Sequence, residues 1–504
     1  MDATLLDDAR RSRDLERLGS RVDVLVVGGG VTGAGVALDA ASRGLSVLLC
    51  ERDDLASGTS RWSSKLVHGG LRYLAHGEVG LARESARERA VLMGTTAPHL
   101  VSPLAFLVPD VAGRDVSAVA GLGGVLGDAV RSSVAGGRGS LPRSRRVSRA
   151  EVAAWTPAVR PGRGGVAFWD GRLVDDARLV VALARTAAGR GASVLTGARV
   201  VGVDPGRAGS VVTVEVEGGR VAVEAGVVVV AAGVWSAALD DGVRLMPSRG
   251  SHLVLRADRL GSPTAALTVP LPGSRSRYVF ALPQATGYVH LGITDEPVEG
   301  PVPDADPVPS AAEVAQLLAT VNRVLADPLT PADVVGAHAG LRPLVLPASA
   351  GTGPGDATAD LSRRHLLHRS GGVLTVVGGK LTTYRAMAEE TVDAVVERLG
   401  RGARRSPTAG LPLVGAAPRR ALDRVDAPSR LVGRYGTEAP AVHALGGDPV
   451  APGRVETVGE LRFAVRAEGA RSVADLLDRR TRVGLVPADR AAARDVAERV
   501  LAEA

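Results

Sequence analysis

The feature that most constrains this chain lies near its N-terminus, where a short apolar run leads directly into a glycine-rich turn. The run Val22–Val27 is followed without a spacer by the pattern GxGxxG, whose glycines are Gly28, Gly30 and Gly33. A stretch of small residues typical of a helix follows, and then a second apolar run, Val47–Cys50. A strand, a turn and a helix with this spacing predict the βαβ opening of a Rossmann-like α/β domain.

Each glycine of the turn has a separate physical reason. Gly28 permits the tight turn, Gly30 lets the backbone approach a pyrophosphate, and Gly33 allows the helix to pack on the strand. The helix N-terminus then offers free N–H groups and a favourable dipole to negative charge. Glu51 ends the second apolar run, where its carboxylate can accept hydrogen bonds from a ribose. The pattern predicts a dinucleotide site but does not distinguish NAD from FAD.

The remaining chain divides into further structural units. Its 504 residues exceed one core, so two or three domains are expected. Residues 249–255 and 278–293 alternate between apolar and polar as antiparallel strands do, which predicts a second sheet. The proline-rich segment 301–309 is interpreted as a rigid connector.

The C-terminal part of the chain is predicted to be helical. After an apolar strand at 374–377, a helix is expected from about Thr382, with Gly400 as its end. From about residue 401 the pattern becomes helical to the end of the sequence. Residues 111–140 are poor in charge and rich in glycine, and an irregular segment is expected there.

Composition and charge narrow the classes of partner. The formal net charge is +7, but the arginines are dispersed and are not interleaved with aromatic residues, which argues against nucleic acid. A membrane surface or an anionic substrate fits the charge better. Cys50 is the only cysteine, and no Cys/His cluster has metal-ligand spacing, so neither a disulfide nor a metal site is expected. The absence of a long apolar run and of a signal-peptide core predicts a cytoplasmic protein that contacts membranes only peripherally.

The two lysines are unusual in this chain. Lysine and arginine together number 61, yet only Lys65 and Lys380 are lysines. Both lie in segments rich in glycine and hydroxyl residues, SSKLVHGGLRY and VVGGKLTTYR. Because lysine carries a compact ammonium where arginine carries a broad planar fork, a functional role in a ligand cleft is favoured over chance retention at the surface.

Taken with their neighbours, these segments resemble the FAD-dependent glycerol-3-phosphate dehydrogenases of the D-amino-acid-oxidase-like flavoprotein superfamily. The resemblance runs through VDVLVVGGGVTGAG, SSKLVHGGLRYL, DGRLVDDARLV, VVVVAAGVWS, RGSHLVL, GITDEP, AGLRPL and VVGGKLTTYRAMAE. It continues through RFAVRAEGARSVADLLDRRTRVG in the helical tail. It therefore covers nearly the whole chain from Val22 onward.

The resemblance implies a domain organisation. A discontinuous FAD-binding domain is expected at about 20–110, 165–245 and 330–400. The substrate-side antiparallel sheet is expected at about 246–329, and residues 401–504 are expected to form a helical C-terminal domain.

The resemblance also implies FAD as the cofactor and names the residues that hold it. Gly28, Gly30, Gly33 and Glu51 are expected to hold the ADP half. Residues from three further segments are expected around the flavin half: Thr59, Ser60, Ser64, Lys65, Leu66, His68, Gly233, Gly379, Lys380, Leu381 and Thr382.

For the substrate, the resemblance implies glycerol 3-phosphate, a dianionic phosphate with a secondary alcohol. Arg72, Tyr73 and Arg342 match substrate-side positions, with Lys380 and Thr382 close by. Oxidation of the alcohol calls for a base, and the candidates are His68 and His252, with Arg342 able to assist. The residues alone do not decide between them. Arg61 and Trp62 stand where relatives commonly carry small residues, which could reshape the mouth of the cleft.

The electron acceptor is open at this level. Resemblance to the dehydrogenase branch implies a quinone. Peripheral contact with a membrane surface and a homodimer are open expectations that the sequence does not decide. Three other readings stay open: an oxidase that passes electrons to oxygen, a related flavin oxidase of amines or amino acids, and a flavin-binding subunit without turnover.

Overall fold

In the computed structural model, residues 2–70, 78–134, 136–137, 141–206, 209–274, 277–346, 364–402 and 404–503 are described. Arg72 and Tyr73 lie outside these residues. The described residues form two β-sheets and a set of helices, in agreement with the α/β class expected from the sequence.

The first sheet carries the glycine turn. Its central strand Val22–Val27 pairs in parallel with Val47–Cys50 on one side and with Gly219–Val230 on the other. Within the described residues the sheet has eight strands, and the parallel core is buried on both faces because helices and a second β-layer cover it. In spatial order the main path is His365–Ser370, Val373–Gly378, Gly219–Val230, Val22–Val27, Val47–Cys50 and Ser193–Leu195, with Arg199–Gly206 and Gly209–Val216 attached through Gly219–Val230.

The second sheet is mostly antiparallel and has ten strands in the described part of the chain. Its longest pairing joins Leu245–Arg256 to Val334–Val345. The main path is Glu296–Pro297, Leu245–Arg256, Tyr288–Gly292, Tyr278–Pro283, Ala266–Pro270, Val101–Pro109, Gly164–Leu173 and Leu66–Val67, with Val334–Val345 and Arg145–Ser148 paired at its side.

The second sheet contains strands from outside the segment 246–329 in which the sequence placed it. Strands Val101–Pro109, Gly164–Leu173 and Val334–Val345 belong to it, although they fall in or at the edge of segments expected in the FAD-binding part. The chain therefore crosses between the two sheets several times. Sequence periodicity identifies such strands but not their partners, because pairing is set by contacts between distant residues.

Helices cover the sheets and form the C-terminal part. The helix Val31–Ser42 starts at the glycine turn and packs between Asp176–Gly189 and Tyr384–Arg398. The remaining helices are Asp8–Glu16, Val79–Val91, Arg114–Ser132, Arg149–Trp155, Ala311–Asn322, Arg419–Leu422, Ser429–Tyr435, Ala439–Ala444, Val458–Glu468 and Pro487–Ala502. None of the described helices is long and apolar enough to cross a bilayer.

The expectation of an irregular segment at 111–140 was wrong over most of its length. The structure has a 19-residue helix at Arg114–Ser132. Its four glycines lower the intrinsic helix propensity, but packing against the second sheet and Val79–Val91 compensates. Three side chains of this helix, Leu122, Val125 and Leu126, are exposed by 65%, 60% and 49%.

Candidate functional site

A large cavity lies where the carboxyl ends of the parallel strands meet the second sheet. Its volume is about 780 Å³, which is within the range of pockets that enclose an extended small molecule. Val27, Cys50 and Ala231, at or just beyond the ends of three neighbouring strands, line its floor. Ligands of open α/β sheets bind at this edge, so the cavity is the candidate site.

The glycine turn forms one end of the cavity with the geometry that a pyrophosphate requires. Gly28 has a φ of 110°, and a Cβ there would lie 2.6 Å from the Ala231 carbonyl oxygen. A Cβ on Gly33 would lie 1.9 Å from the Gly28 oxygen, so any side chain would separate helix from strand. Gly30 precedes the first residue of the helix and lines the cavity. The helix N-terminus therefore faces the space where the phosphates would lie.

Glu51 is fixed beside this turn. Its carboxylate accepts hydrogen bonds from the backbone N–H of Gly29 at 2.6 Å and of Asp53 at 2.9 Å. The Ser57 hydroxyl donates to the same carboxylate at 3.2 Å. Burial nevertheless raises the pKa of Glu51. The side chain also lines the cavity, where a ribose hydroxyl can reach it.

A second glycine turn forms another part of the cavity wall. Gly378 and Gly379 have φ values of 84° and 69°, and a Cβ on Gly379 would lie 2.4 Å from the Met387 sulfur. The turn leads through a 3-10 segment, Leu381–Thr383, into the helix Tyr384–Arg398. A helix N-terminus is thereby directed at the cavity, where it stabilises negative charge.

Lys380 directly follows the two glycines of this second turn. Its ammonium donates to the Ser85 hydroxyl at 3.0 Å, and Lys380 is one of the residues that line the cavity. The contact orients the amine from the side of the Val79–Val91 helix. Of the two lysines, this one has the placement that the sequence led us to expect.

Lys65 is placed differently. Its side chain is buried, and its ammonium lies 3.2 Å from the Asp176 carboxylate and 3.5 Å from the Arg61 carbonyl oxygen. Burial works against ionisation of Asp176, but Lys65 and Arg482 outweigh it and lower the pKa of Asp176. Lys65 does not line the large cavity because its side chain is directed to this buried carboxylate. It lines a separate cavity of about 40 Å³ against the C-terminal helices.

Arg342 is a cation of the cavity wall that several contacts hold in place. Its guanidinium donates to the Thr294 carbonyl oxygen at 3.0 Å and to the Ser248 hydroxyl at 3.2 Å. It also lies 3.3 Å from the Asp295 carboxylate, which itself lines the cavity. These contacts fix the planar fork in one direction, which favours binding of an anionic group in a defined position.

The two candidate bases occupy different positions. His68 lines the cavity directly. His252 is fully buried behind the lining, and its Nε2 is 2.9 Å from the Ser64 hydroxyl oxygen, which does line the cavity. Burial, together with the charges of Lys65 and Arg342, lowers the pKa of His252 to about 3. His252 is therefore a neutral imidazole that reaches the cavity only through Ser64.

Most of the residues singled out by sequence converge on this one space. Among those that the structure describes, all but Gly33, Lys65 and His252 line the cavity. Arg72 and Tyr73 lie outside the described residues. The predicted residues that line the cavity are Gly28, Gly30, Glu51, Thr59, Ser60, Ser64, Leu66, His68, Gly233, Arg342, Gly379, Lys380, Leu381 and Thr382.

Sequence reasoning missed one wall of the cavity. Phe106 stacks on Phe168 with ring centroids 5.2 Å apart, and Phe280 meets Phe106 edge-on at 5.8 Å. Tyr278 and the guanidinium-bearing Arg277 line the same end. The signal was present in the composition, because the chain has only four phenylalanines and three of them lie here. Scarcity, used for lysine, could equally have been used for phenylalanine.

The residues that line the cavity have the chemistry that a flavin dinucleotide requires. Two cradles that a Cβ would fill, at Gly28 and Gly379, both lie in the wall of this space. The first offers a helix N-terminus and a carboxylate to an ADP group, and the second offers a helix N-terminus and Lys380 to an electron-rich ring. Thr59 and Ser60 line the same space, and the Thr59 hydroxyl donates to the Leu341 carbonyl oxygen at 2.7 Å.

Comparison with known proteins agrees with this geometry. The family described as FAD dependent oxidoreductase matches residues 23–393, and the C-terminal domain of alpha-glycerophosphate oxidase matches residues 406–504. The chain is 48% identical to glycerol-3-phosphate dehydrogenase 1 of Mycobacterium tuberculosis, with 96% of each chain covered. It is 33% identical to a glycerol-3-phosphate dehydrogenase of Synechocystis, over 93% of this chain and 90% of the relative.

A solved structure extends the comparison to three dimensions. The glycerol-3-phosphate dehydrogenase of Bacillus halodurans, complexed with FAD, superimposes with a TM-score of 0.75 and 26% identity. The match covers 98% of this chain and 93% of the other. The chain therefore belongs to the FAD-dependent oxidoreductase family, with FAD as its cofactor, in the group whose members are named glycerol-3-phosphate dehydrogenase.

Proposed function

We propose that this enzyme oxidises sn-glycerol 3-phosphate to dihydroxyacetone phosphate and passes the electrons to a membrane quinone. The observation that carries the proposal is the joining, in one cavity, of a flavin dinucleotide cradle with two oriented cations, Arg342 and Lys380. A phosphate dianion is bound best by charged donors that are already held in place. The names of the relatives support the choice of substrate.

In this proposal the phosphate is held by charged side chains around the cavity. Arg342 presents its fork, Lys380 presents a compact ammonium, and the buried Thr382 lies beside them. Arg72 and Tyr73 join them on the strength of the family resemblance alone. Charged hydrogen bonds contribute roughly 1.5–3 kcal/mol each, so two or three of them account for strong selection of a phosphorylated substrate.

The proton of the C2 hydroxyl is proposed to go to His68. This imidazole lines the cavity, whereas His252 is separated from it by Ser64. His252 then acts as a positioning residue that fixes the Ser64 hydroxyl, and Arg342 stabilises negative charge that develops on the substrate oxygen. Bound FAD would supply the acceptor for the hydride that leaves C2.

The aromatic end of the cavity supports a quinone as the acceptor. Phe106, Phe168 and Phe280 provide flat apolar surface that suits a quinone ring. Gly123 and Gly124 of the helix Arg114–Ser132 line the same end. The cavity thus reaches a helix that exposes apolar side chains to the outside, where a lipid-soluble acceptor would arrive.

The surface beside this helix supports contact with an anionic membrane. Leu122, Val125 and Leu126 are exposed, and a hydrogen bond of 2.7 Å joins the Ser144 backbone N–H to Asp128 of the same helix. Ser144 belongs to a basic stretch whose arginines, Arg143, Arg145, Arg146 and Arg149, are all exposed. Apolar groups flanked by cations are typical of peripheral binding to acidic lipid. The homodimer and the cytoplasmic location stay predictions from sequence.

A steady-state assay tests the proposal directly. The purified, FAD-loaded enzyme is supplied with glycerol 3-phosphate and a water-soluble quinone analogue, and separately with oxygen alone. We expect rapid quinone reduction and slow peroxide formation. Equal rates with glycerol, or turnover of amino acids in place of the phosphate, would contradict the substrate. Stoichiometric peroxide with oxygen alone would instead identify an oxidase.

A further inference from the structure

Trp62, on the wall of the large cavity, links that wall to the C-terminal part of the chain. The indole stacks on His338 with ring centroids 5.4 Å apart, and His338 in turn stacks on His252 at 4.8 Å. The guanidinium groups of Arg61 and Arg482 also lie over the indole ring, with their Cζ atoms 4.2 Å and 4.8 Å from the ring centroid. A continuous row of flat groups therefore runs from Arg482 to His252, which is bonded to Ser64 of the cavity lining.

Arg482 also holds the backbone of the same loop. Its guanidinium donates to the Arg61 carbonyl oxygen at 2.6 Å and to the Asp478 carbonyl oxygen at 2.8 Å. Arg482 is only 7% exposed. One guanidinium thus bridges a turn of the C-terminal part and the loop that lines the cavity, in a place where water does not compete for its donors.

A second arginine, two residues earlier, secures the other end of this loop. Arg480 is fully buried and makes a two-pronged ion pair with Asp54, at 2.8 and 2.9 Å. Arg479 adds a contact of 2.7 Å to the same carboxylate. Asp54 lies three residues after Glu51, and the Ala56 N–H donates to the Gly29 carbonyl oxygen at 3.0 Å. The Arg480–Asp54 ion pair therefore holds the segment that follows Glu51 and contacts the glycine turn through Ala56.

We propose that Arg480 and Arg482 are positioning residues for FAD, through which the docked C-terminal domain holds the cofactor loop 51–64 in its binding shape. Neither side chain lines the large cavity. Both act through residues that do: Arg482 through Trp62, and Arg480 through the segment between Glu51 and Ser57. The C-terminal domain thus contributes to cofactor affinity without contacting the cofactor.

The physical basis is pre-organisation. Ordering a loop costs conformational free energy, and a loop already held in shape does not incur that cost when the ligand binds. Loss of Arg482 removes a charged hydrogen bond and a cation–π contact from the loop at once. We expect the Kd for FAD to rise about tenfold, which corresponds to about 1.4 kcal/mol.

The test measures FAD binding rather than turnover. Apo-protein of Arg482→Gln and of the wild type is titrated with FAD, and hydrogen exchange of peptides covering 51–64 is followed without cofactor. Arg494→Gln serves as the matched control, because Arg494 is on a helix of the same domain and its side chain is 64% exposed. We expect weaker FAD binding and faster exchange in this loop for Arg482→Gln only.

The outcomes separate positioning from general stability. A Kd raised by about threefold or more, with an apo melting temperature like that of the control, supports the proposal. A smaller change in Kd, or exchange in 51–64 equal to wild type, overturns it. If Arg482→Gln does not fold, Arg482→Lys is tested against the same limits, since it keeps the charge but lacks the planar face and the second nitrogen.

Discussion

His252 and His338 lie directly opposite each other on paired strands of the second sheet, and their rings stack at 4.8 Å. His290 meets His338 edge-on at 5.3 Å, and all three side chains are buried. Neither ring nitrogen of His338 has a hydrogen-bond partner among the described residues. Burial and the nearby cations lower the pKa of His252 to about 3 and lower those of His290 and His338 well below the ordinary value. The cluster is therefore neutral in the folded protein.

This cluster predicts acid sensitivity of the fold. Below a pH of about 6.5 these histidines bind protons in the unfolded chain. In the folded chain the imidazole of His252 stays neutral down to about pH 3. The contribution of these neutral histidines to the free energy of unfolding is thus complete above about pH 6.5, and it is lost as the pH falls toward 3. Between pH 7.5 and pH 5 each such histidine lowers the free energy of unfolding by about 2 kcal/mol.

Replacement of His338 by phenylalanine tests this prediction. His338→Phe keeps a flat apolar ring and removes one buried titratable group, so denaturant unfolding at pH 5 and pH 7.5 should differ by about 2 kcal/mol less than in the wild type. The exposed His443 provides the control variant His443→Gln. Equal pH dependence in all three proteins would contradict a neutral cluster.

Gly30 is predicted to be essential for the cofactor but not for the fold. A Cβ at this position would lie 3.0 Å from the Ser60 hydroxyl oxygen, at the cavity wall where the pyrophosphate is expected. Gly30→Ala should weaken FAD binding at least about tenfold, measured by titration of apo-protein. Gly80→Ala, placed where a Cβ meets nothing within 4 Å, should bind FAD normally. Normal FAD affinity in Gly30→Ala would show that the pyrophosphate does not lie against Gly30.

Arg342 is predicted to set the KM for glycerol 3-phosphate. Arg342→Gln removes a charged donor, and the loss of roughly 1.5–3 kcal/mol corresponds to a KM about 10- to 150-fold higher with normal FAD content. Arg256→Gln, on a paired strand but with its side chain 64% exposed, is the control and should keep the wild-type KM. An unchanged KM together with an unchanged kcat in Arg342→Gln would leave Arg342 with a structural role only.

The two lysines are predicted to respond differently to the same substitution. Lys380→Arg places a broad head at the cavity wall, and a displacement of the substrate by about 1 Å can lower kcat/KM around a hundredfold. Lys65→Arg overfills the buried site beside Asp176 and should lower stability by about 1–3 kcal/mol. Kinetics, flavin spectrum and thermal unfolding of both variants provide the measurement. Wild-type kcat/KM in Lys380→Arg would show that its ammonium is not selected for size.

The exposed side chains of Arg114–Ser132 are predicted to bind membranes. The double variant Leu122→Gln and Val125→Gln should lower affinity for vesicles containing an anionic phospholipid by about tenfold or more, because each apolar side chain loses part of roughly 1.5–3 kcal/mol of burial. Val308→Gln, at a residue 73% exposed in the connector, is the control. Co-sedimentation with the vesicles is measured, and dehydrogenation with a soluble dye should be unchanged. Equal binding of both variants would assign membrane contact to another surface.

Much of the cofactor site could be predicted from sequence because its determinants are local. The turn at Gly28 to Gly33 and the turn at Gly378–Gly379 each need a glycine for reasons of backbone geometry that hold wherever the turn lies. The strands Val22–Val27 and Val47–Cys50 and the helix Tyr384–Arg398 likewise follow from apolar pattern and end signals. Local constraints of this kind do not depend on the rest of the chain.

Contacts between distant segments could not be predicted in this way. Nothing near Lys65 shows that its ammonium turns to Asp176, or that Arg480 reaches Asp54 across 426 positions. The helix at Arg114–Ser132 exists against its glycine content because tertiary packing supplies what propensity lacks. Sequence alone thus determined the family, the cofactor and the turns that hold it. The tertiary structure alone decided which side chains face the cavity, because direction and burial arise from the packing of both sheets against the C-terminal helices.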